Sequence, residues 1–290
     1  SMDSQDIEYR SDDGLKLFAR QYGRDDASHT VLCLHGLTRN HKDFEPMIAA
    51  LGGDRRYIAW DTRGRGRSAR DPVTDNYRND VYANDVVRLM DELSLDKVTL
   101  VGTSMGGLIS MILMNMIPDR ISGVVLNDVG PKLEQAGLDR IAGYVGAFAP
   151  YDSFEDAAKA VEASQKMAFP DYEQEDWLAF AHRTFVQTAR GVELDYDEAI
   201  ADSLKHIRID EQAIALGWQL FAAIKQRPLL IVRGEISDLF SEETAGEMIA
   251  KHGSATEVVV PRIGHAPIMD EPEAVAGIEQ FLTSIEEAAS

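Results

Sequence analysis

Val98-Thr99-Leu100-Val101-Gly102-Thr103-Ser104-Met105-Gly106-Gly107 is the stretch on which the reading of this chain turns. Its first four residues have the apolar, β-branched character of a buried strand, and a helical pattern from Leu108 to Met116 begins directly behind the glycines. Ser104 lies between strand and helix with a glycine two positions away on each side, on a turn too tight for neighbouring Cβ atoms. Such a serine projects its hydroxyl above the sheet, and the helix N-terminus offers free N–H groups to an anion forming beside it. A glycine-rich turn with a capping serine satisfies the same spacing. The flanking strand and helix favour a nucleophile.

Working outward, short β-branched runs recur, each followed by a Gly- or Asp-containing turn and a longer helical pattern, the signature of parallel βαβ units. Eight strands are expected: Ile7 to Ser11, Leu15 to Tyr22, Thr30 to Leu34, Tyr57 to Asp61, Val98 to Gly102, Ile121 to Asn127, Pro228 to Arg233 and Thr256 to Pro261. The first two flank Asp12-Asp13-Gly14, so the sheet should start as an antiparallel hairpin and continue parallel. Between Pro131 and Gln226 the rhythm stops and only helical segments are read, among them Phe154 to Lys166 and Asp176 to Arg190. The expected organisation is an α/β core of residues 1–130 and 227–290, with residues 131–226 inserted after the sixth strand as a helical cap over the sheet's C-terminal edge.

A nucleophilic serine needs a base, and His265, in Arg262-Ile263-Gly264-His265-Ala266-Pro267, follows the last strand where a loop can carry it over Ser104. The acid that orients the histidine should lie between them in sequence at a strand end. Asp238, in the loop after Pro228 to Val232, is the first choice; Glu235 in the same loop and Asp128 at the end of the sixth strand are the rivals. In His35-Gly36-Leu37-Thr38-Arg39-Asn40, after the third strand, the glycine lets backbone approach a substrate oxygen. The N–H groups of Leu37 and Met105 are then the expected oxyanion donors, and His35 a structural residue. Arg39 is either a substrate-carboxylate ligand or a solvated loop arginine. Phe148 and Trp218 are the foremost pocket-lining aromatics of the inserted segment, although helical spacing makes its core the commoner fate of such residues.

The combination of His35-Gly36, Asp61-Thr62-Arg63-Gly64-Arg65-Gly66-Arg67-Ser68, Gly102 to Gly107, Asp238 and Gly264-His265 resembles the α/β-hydrolase superfamily over nearly the whole chain. The resemblance implies a Ser-His-Asp triad, no metal or organic cofactor, and a variable cap that sets substrate choice. The run from Asp61 to Ser68 is similar to that of capped esterases, lactonases and carbon–carbon bond hydrolases. A serine at position 104 instead of an aspartate argues against the haloalkane dehalogenase and epoxide hydrolase branches. Thr103 and the absence of an extended glycine-proline-rich loop after His35 weaken the meta-cleavage-product hydrolase branch. The leading expectation is a hydrolase of a small carboxylic ester or lactone working through an acyl-enzyme. Hydrolysis of vinylogous diketones is the alternative, and a non-catalytic binding module comes third.

Composition bounds the partners. With 29 Lys plus Arg against 49 Asp plus Glu, the formal charge of -20 opposes nucleic acid and anionic lipid. Cys33, the one cysteine, sits in a strand and can form no intrachain disulfide. No run reaches about 18 apolar residues. The start Ser1 to Asp6 is polar and acidic, unlike a signal peptide, so a cytoplasmic location is expected. Ser1-Met2 resembles a remnant of tag cleavage, which leaves open a native leader ahead of it. Whether the chain is a monomer or homodimer is not legible.

Overall fold

The computed structural model describes residues 3–146 and 150–290. One eight-stranded sheet organises them, in the order β1 (Ser4–Arg10), β2 (Lys16–Gly23), β4 (Arg56–Asp61), β3 (Thr30–Leu34), β5 (Val98–Thr103), β6 (Ile121–Asn127), β9 (Leu229–Gly234) and β10 (Thr256–Val260). The pairs β1–β2 and β2–β4 are antiparallel and all later pairs are parallel. Ser11 to Gly14 closes the opening hairpin, with Gly14 at φ 86°, a conformation a side chain would strain. All eight strands lie where the runs of β-branched residues place them, with ends shifted by at most a few residues.

The central strands are buried on both faces, which is why they read as continuous apolar runs instead of alternating ones. Alternation still decides which layer each side chain joins. Leu32, Leu34, Leu100 and Leu126 pack with α2 (Asn79–Glu92) and α3 (Met105–Met116) on one face. Val31, Cys33, Val101 and Val125 pack with α1 (Glu45–Leu51) and α9 (Pro272–Ala289) on the other. Cys33 is fully buried there, as its strand position requires.

The segment between β6 and β9 contains α4 (Gln135–Ala142), α5 (Phe154–Gln165), α6 (Gln174–Thr184) and α7 (Glu211–Ala222). It is not purely helical as expected: β7 (Phe185–Thr188) and β8 (Gly191–Leu194) form an antiparallel hairpin. The helix expected from Asp176 to Arg190 therefore stops at Thr184. Gly191, at φ 129°, makes the turn possible, and the buried Phe185 meets Tyr151 edge-on at 5.8 Å. α8 (Glu242–His252) joins β9 to β10 across the first face. No helix among the described residues is long and apolar enough to cross a membrane.

Candidate active site

Ser104 stands at the junction of β5 and α3 with φ 50° and ψ -115°, a strained conformation for a residue with a side chain. The turn is tight because the glycines let backbone touch backbone. A Cβ on Gly106 would lie 2.0 Å from the Leu34 carbonyl oxygen, and one on Gly102 would lie 2.4 Å from that of Gly106. His265 reaches over from the loop after β10, its Nε2 3.0 Å from Ser104 Oγ.

The carboxylate behind His265 belongs to Asp128, whose Oδ2 is 2.6 Å from Nδ1. Asp128 follows β6 directly, has φ 55° and is fully buried. Its carboxylate also accepts the Gly234 N–H at 2.8 Å and the Ser237 hydroxyl at 2.6 Å. Desolvation of this charge is thereby offset by three donors. The expectation that Asp238 holds the histidine is corrected. Asp238 turns to the inserted segment, where Arg140 of α4 donates to both carboxylate oxygens at 2.6 and 3.1 Å. Glu235 also faces elsewhere and accepts the Arg262 N–H. The available signal was the position of Asp128 at the very end of a strand, in the left-handed region that aspartate tolerates better than most residues.

The loop after β3 is held by two buried groups. His35 Nε2 accepts the Thr62 N–H at 3.0 Å, so its Nδ1 carries the proton and donates to the Gly36 carbonyl at 2.7 Å. Burial lowers the His35 pKa to about 4, which keeps the ring in this neutral form. The Gly36 carbonyl belongs to the same peptide unit as the Leu37 N–H, so fixing the oxygen fixes the direction of that donor. Arg65 adds a bond from Nε to the Leu37 carbonyl at 2.8 Å. Gly36 lies against Ser104: a Cβ there would be 3.8 Å from Ser104 Cβ.

The Asp61 to Ser68 run is scaffold. Asp61 accepts the His41 and Arg67 N–H groups, and Ser68 bridges the Asp61 carbonyl and the Phe18 N–H. Arg63, fully buried, binds Asp13, Asp71 and Asp85.

Two cavities meet at Ser104. The smaller, about 90 Å³, is bordered by Arg39, Tyr144, Phe169, Phe180 and His265; the larger, about 940 Å³, by Tyr82, Met105, Leu108, Ile112, Leu204, Ile214 and Leu220. Leu37, Ser104 and Ile141 border both. Arg39 is not the solvated loop residue of the blander expectation. Its Nε and Nη2 donate to Asp43 at 2.7 and 2.6 Å, and its guanidinium lies 4.2 Å from the Phe180 ring centre. Trp218 borders neither cavity; its ring is covered by Lys251 Nζ at 4.3 Å and meets Phe221 edge-on. That expectation is corrected, because its place on α7 faces α8 while Ile214 and Gly217 face the groove. Phe148 lies outside the described residues. Ile141, Tyr144, Phe169 and Phe180, all in the inserted segment and all bordering the small cavity, were not singled out as first choices.

A serine at a strand-to-helix turn, a late-loop histidine and a buried carboxylate are the arrangement of a hydrolase class, and the family model for the α/β-hydrolase fold matches residues 29–272. The chain belongs to the α/β-hydrolase family. It is 37% identical over 279 residues to a 3-hydroxybutyrate-oligomer hydrolase of Cupriavidus necator, spanning 93% of this chain and 94% of the relative. It is 32% identical over 238 residues to a 2-(acetamidomethylene)succinate hydrolase of Mesorhizobium japonicum, 81% of each chain. The crystal structure of an α/β hydrolase from Novosphingobium aromaticivorans superposes with a TM-score of 0.91 at 38% identity, covering 98% of this chain and 99% of the other. The relatives are hydrolases, and this chain is one.

Proposed function

We propose that this hydrolase cleaves linear esters of short hydroxy acids, with Ser104 as nucleophile, His265 as base and Asp128 as its partner. The observation that carries this reading is the continuous hydrogen-bonded line from Asp128 through His265 to Ser104, at 2.6 and 3.0 Å. His265 takes the Ser104 proton as Oγ attacks the ester carbonyl, and Asp128 stabilises the imidazolium that forms. The N–H groups of Leu37 and Met105 receive the oxyanion; neither has a hydrogen-bond partner among the described residues. Collapse of the tetrahedral intermediate expels the alcohol with the proton from His265. Water, deprotonated by the same histidine, then releases the acid and restores Ser104. The inserted segment acts as a cap that shapes both cavities without supplying a group to the chemistry. The larger cavity suits an extended linear chain better than a compact lactone, and the relative from Cupriavidus necator, named for 3-hydroxybutyrate oligomers, supports the same substrate class.

The test is turnover of the linear 3-hydroxybutyrate trimer and of p-nitrophenyl butyrate by the purified protein and by Ser104→Ala. Wild type is expected to cleave both and the variant neither, with an organophosphonate labelling Ser104. A labelled residue elsewhere, or an active Ser104→Ala, overturns the assignment.

A further inference from the structure

The two cavities differ tenfold in volume, about 90 against about 940 Å³, and they do not share the catalytic groups evenly. His265 borders only the small cavity, and Met105 only the large one. The oxygen that leaves must receive its proton from His265 Nε2, the nitrogen 3.0 Å from Ser104 Oγ, so the leaving group lies on the side that His265 borders. The acyl chain is then directed into the large groove, whose walls include Leu108, Ile112, Ile214 and Leu220.

The small cavity also carries a charge pattern. Arg39 is the cation of its lining and Asp43 the carboxylate among the described residues. Arg183, with 14% of its side chain exposed, places Nε 3.9 Å from the same Asp43, and that Nε has no hydrogen-bond partner. Two guanidinium groups thus share one carboxylate. Arg39 borders the cavity, and its Nη1 has no hydrogen bond among the described residues.

We propose that this chain trims short linear oligoesters from the carboxyl end: the terminal hydroxy-acid unit occupies the small cavity with its carboxylate on Arg39, and the remaining acyl chain runs along the large groove. The proposal rests on the ester-hydrolase reading above. Ser104 Oγ bonds to the penultimate carbonyl carbon, and the bond from that carbon to the terminal unit's oxygen breaks. That oxygen takes the proton from His265, releasing one hydroxy acid. Water then frees the shortened oligomer, which presents a new carboxyl end.

The experiment follows the order of product release from a 3-hydroxybutyrate trimer with ¹³C confined to its carboxyl-terminal unit, by mass spectrometry at low conversion. Labelled monomer is expected first. Unlabelled monomer first, or both together, overturns the orientation and leaves the ester-hydrolase reading standing. No cleavage of the trimer by protein that turns over p-nitrophenyl butyrate overturns the oligoester reading and the proposal with it. A second measurement compares kcat/KM for the trimer and its methyl ester. Wild type is expected to favour the free acid by about tenfold or more, as one charge-assisted contact provides, and Arg39→Gln to bring the ratio towards one. A wild-type ratio of one, or a ratio unmoved by the substitution, overturns the role of Arg39.

Discussion

Asp128 Oδ2 and His265 Nδ1 stand 2.6 Å apart, although 136 residues separate them along the chain and Asp238 lies far nearer to His265 in sequence. The pairing joins the end of β6 to the loop after β10, and the Gly234 N–H at the end of β9 and the Ser237 hydroxyl in the loop after it complete the arrangement.

Replacing either aspartate separates the two assignments. Asp128→Asn is expected to lower kcat by about a thousandfold or more, because an amide cannot stabilise the imidazolium or hold the required tautomer. Asp238→Asn should change it less than about tenfold, since it disrupts only a partly exposed pair with Arg140, worth up to ~1 kcal/mol. Steady-state rates of the two folded variants decide the matter, and the reverse ranking would return the acid to Asp238.

The loop that carries the Leu37 N–H, the proposed oxyanion donor, depends on His35. His35→Phe removes the donor to the Gly36 carbonyl and strands the Thr62 N–H, at a stability cost of about 1–3 kcal/mol. In the folded fraction kcat should fall about tenfold to a hundredfold with KM little changed, because the Leu37 donor acts on the transition state. An unaltered kcat would show that the loop holds its direction without the ring.

Two glycines near Ser104 should respond differently to alanine. At Gly106 the new methyl would meet the Leu34 backbone oxygen at 2.0 Å, and neither strand nor helix can yield, so a loss of about 1–3 kcal/mol or more is expected. At Gly36 the contacts begin at 3.6 Å, with Arg39 Cγ, and the fold should tolerate the change. Thermal unfolding of the two variants measures the contrast; equal midpoints would contradict it.

Stability should also depend on pH through Glu271, which accepts the Ile268 and Met269 N–H groups just beyond His265. Burial, with the neighbouring charge of Asp270 adding to it, raises the carboxyl from 4.5 to about 7. The folded chain therefore binds this proton more tightly than the unfolded chain. The resulting stability is fully present below about pH 4.5 and disappears as pH rises through 7. As pH rises from about 4.5 through 7 the urea midpoint of wild type should fall relative to that of Glu271→Gln, which lacks this titration. Parallel curves would refute it.

The elements that local chemistry controls were legible in the sequence. Ser104 was marked by its two glycines and by the strand and helix on either side, and the eight strands by β-branched runs between turns, because these signals act within a few residues of the chain. The hairpin at Phe185–Leu194 was hidden among helical segments, since four-residue strands leave too short a pattern to set against them. What tertiary structure alone decided was which distant groups meet. Asp238, Asp128 and Glu235 all satisfied the order serine, acid, histidine, and it is Asp128 that meets His265 because parallel β6, β9 and β10 bring their C-terminal ends to one edge, while Arg140 draws Asp238 away. Trp218 and Ile214 lie on one helix, yet only its packing against α8 shows which of them borders the groove. Contacts across more than a hundred residues are set by how layers stack, and no periodicity along the chain records that.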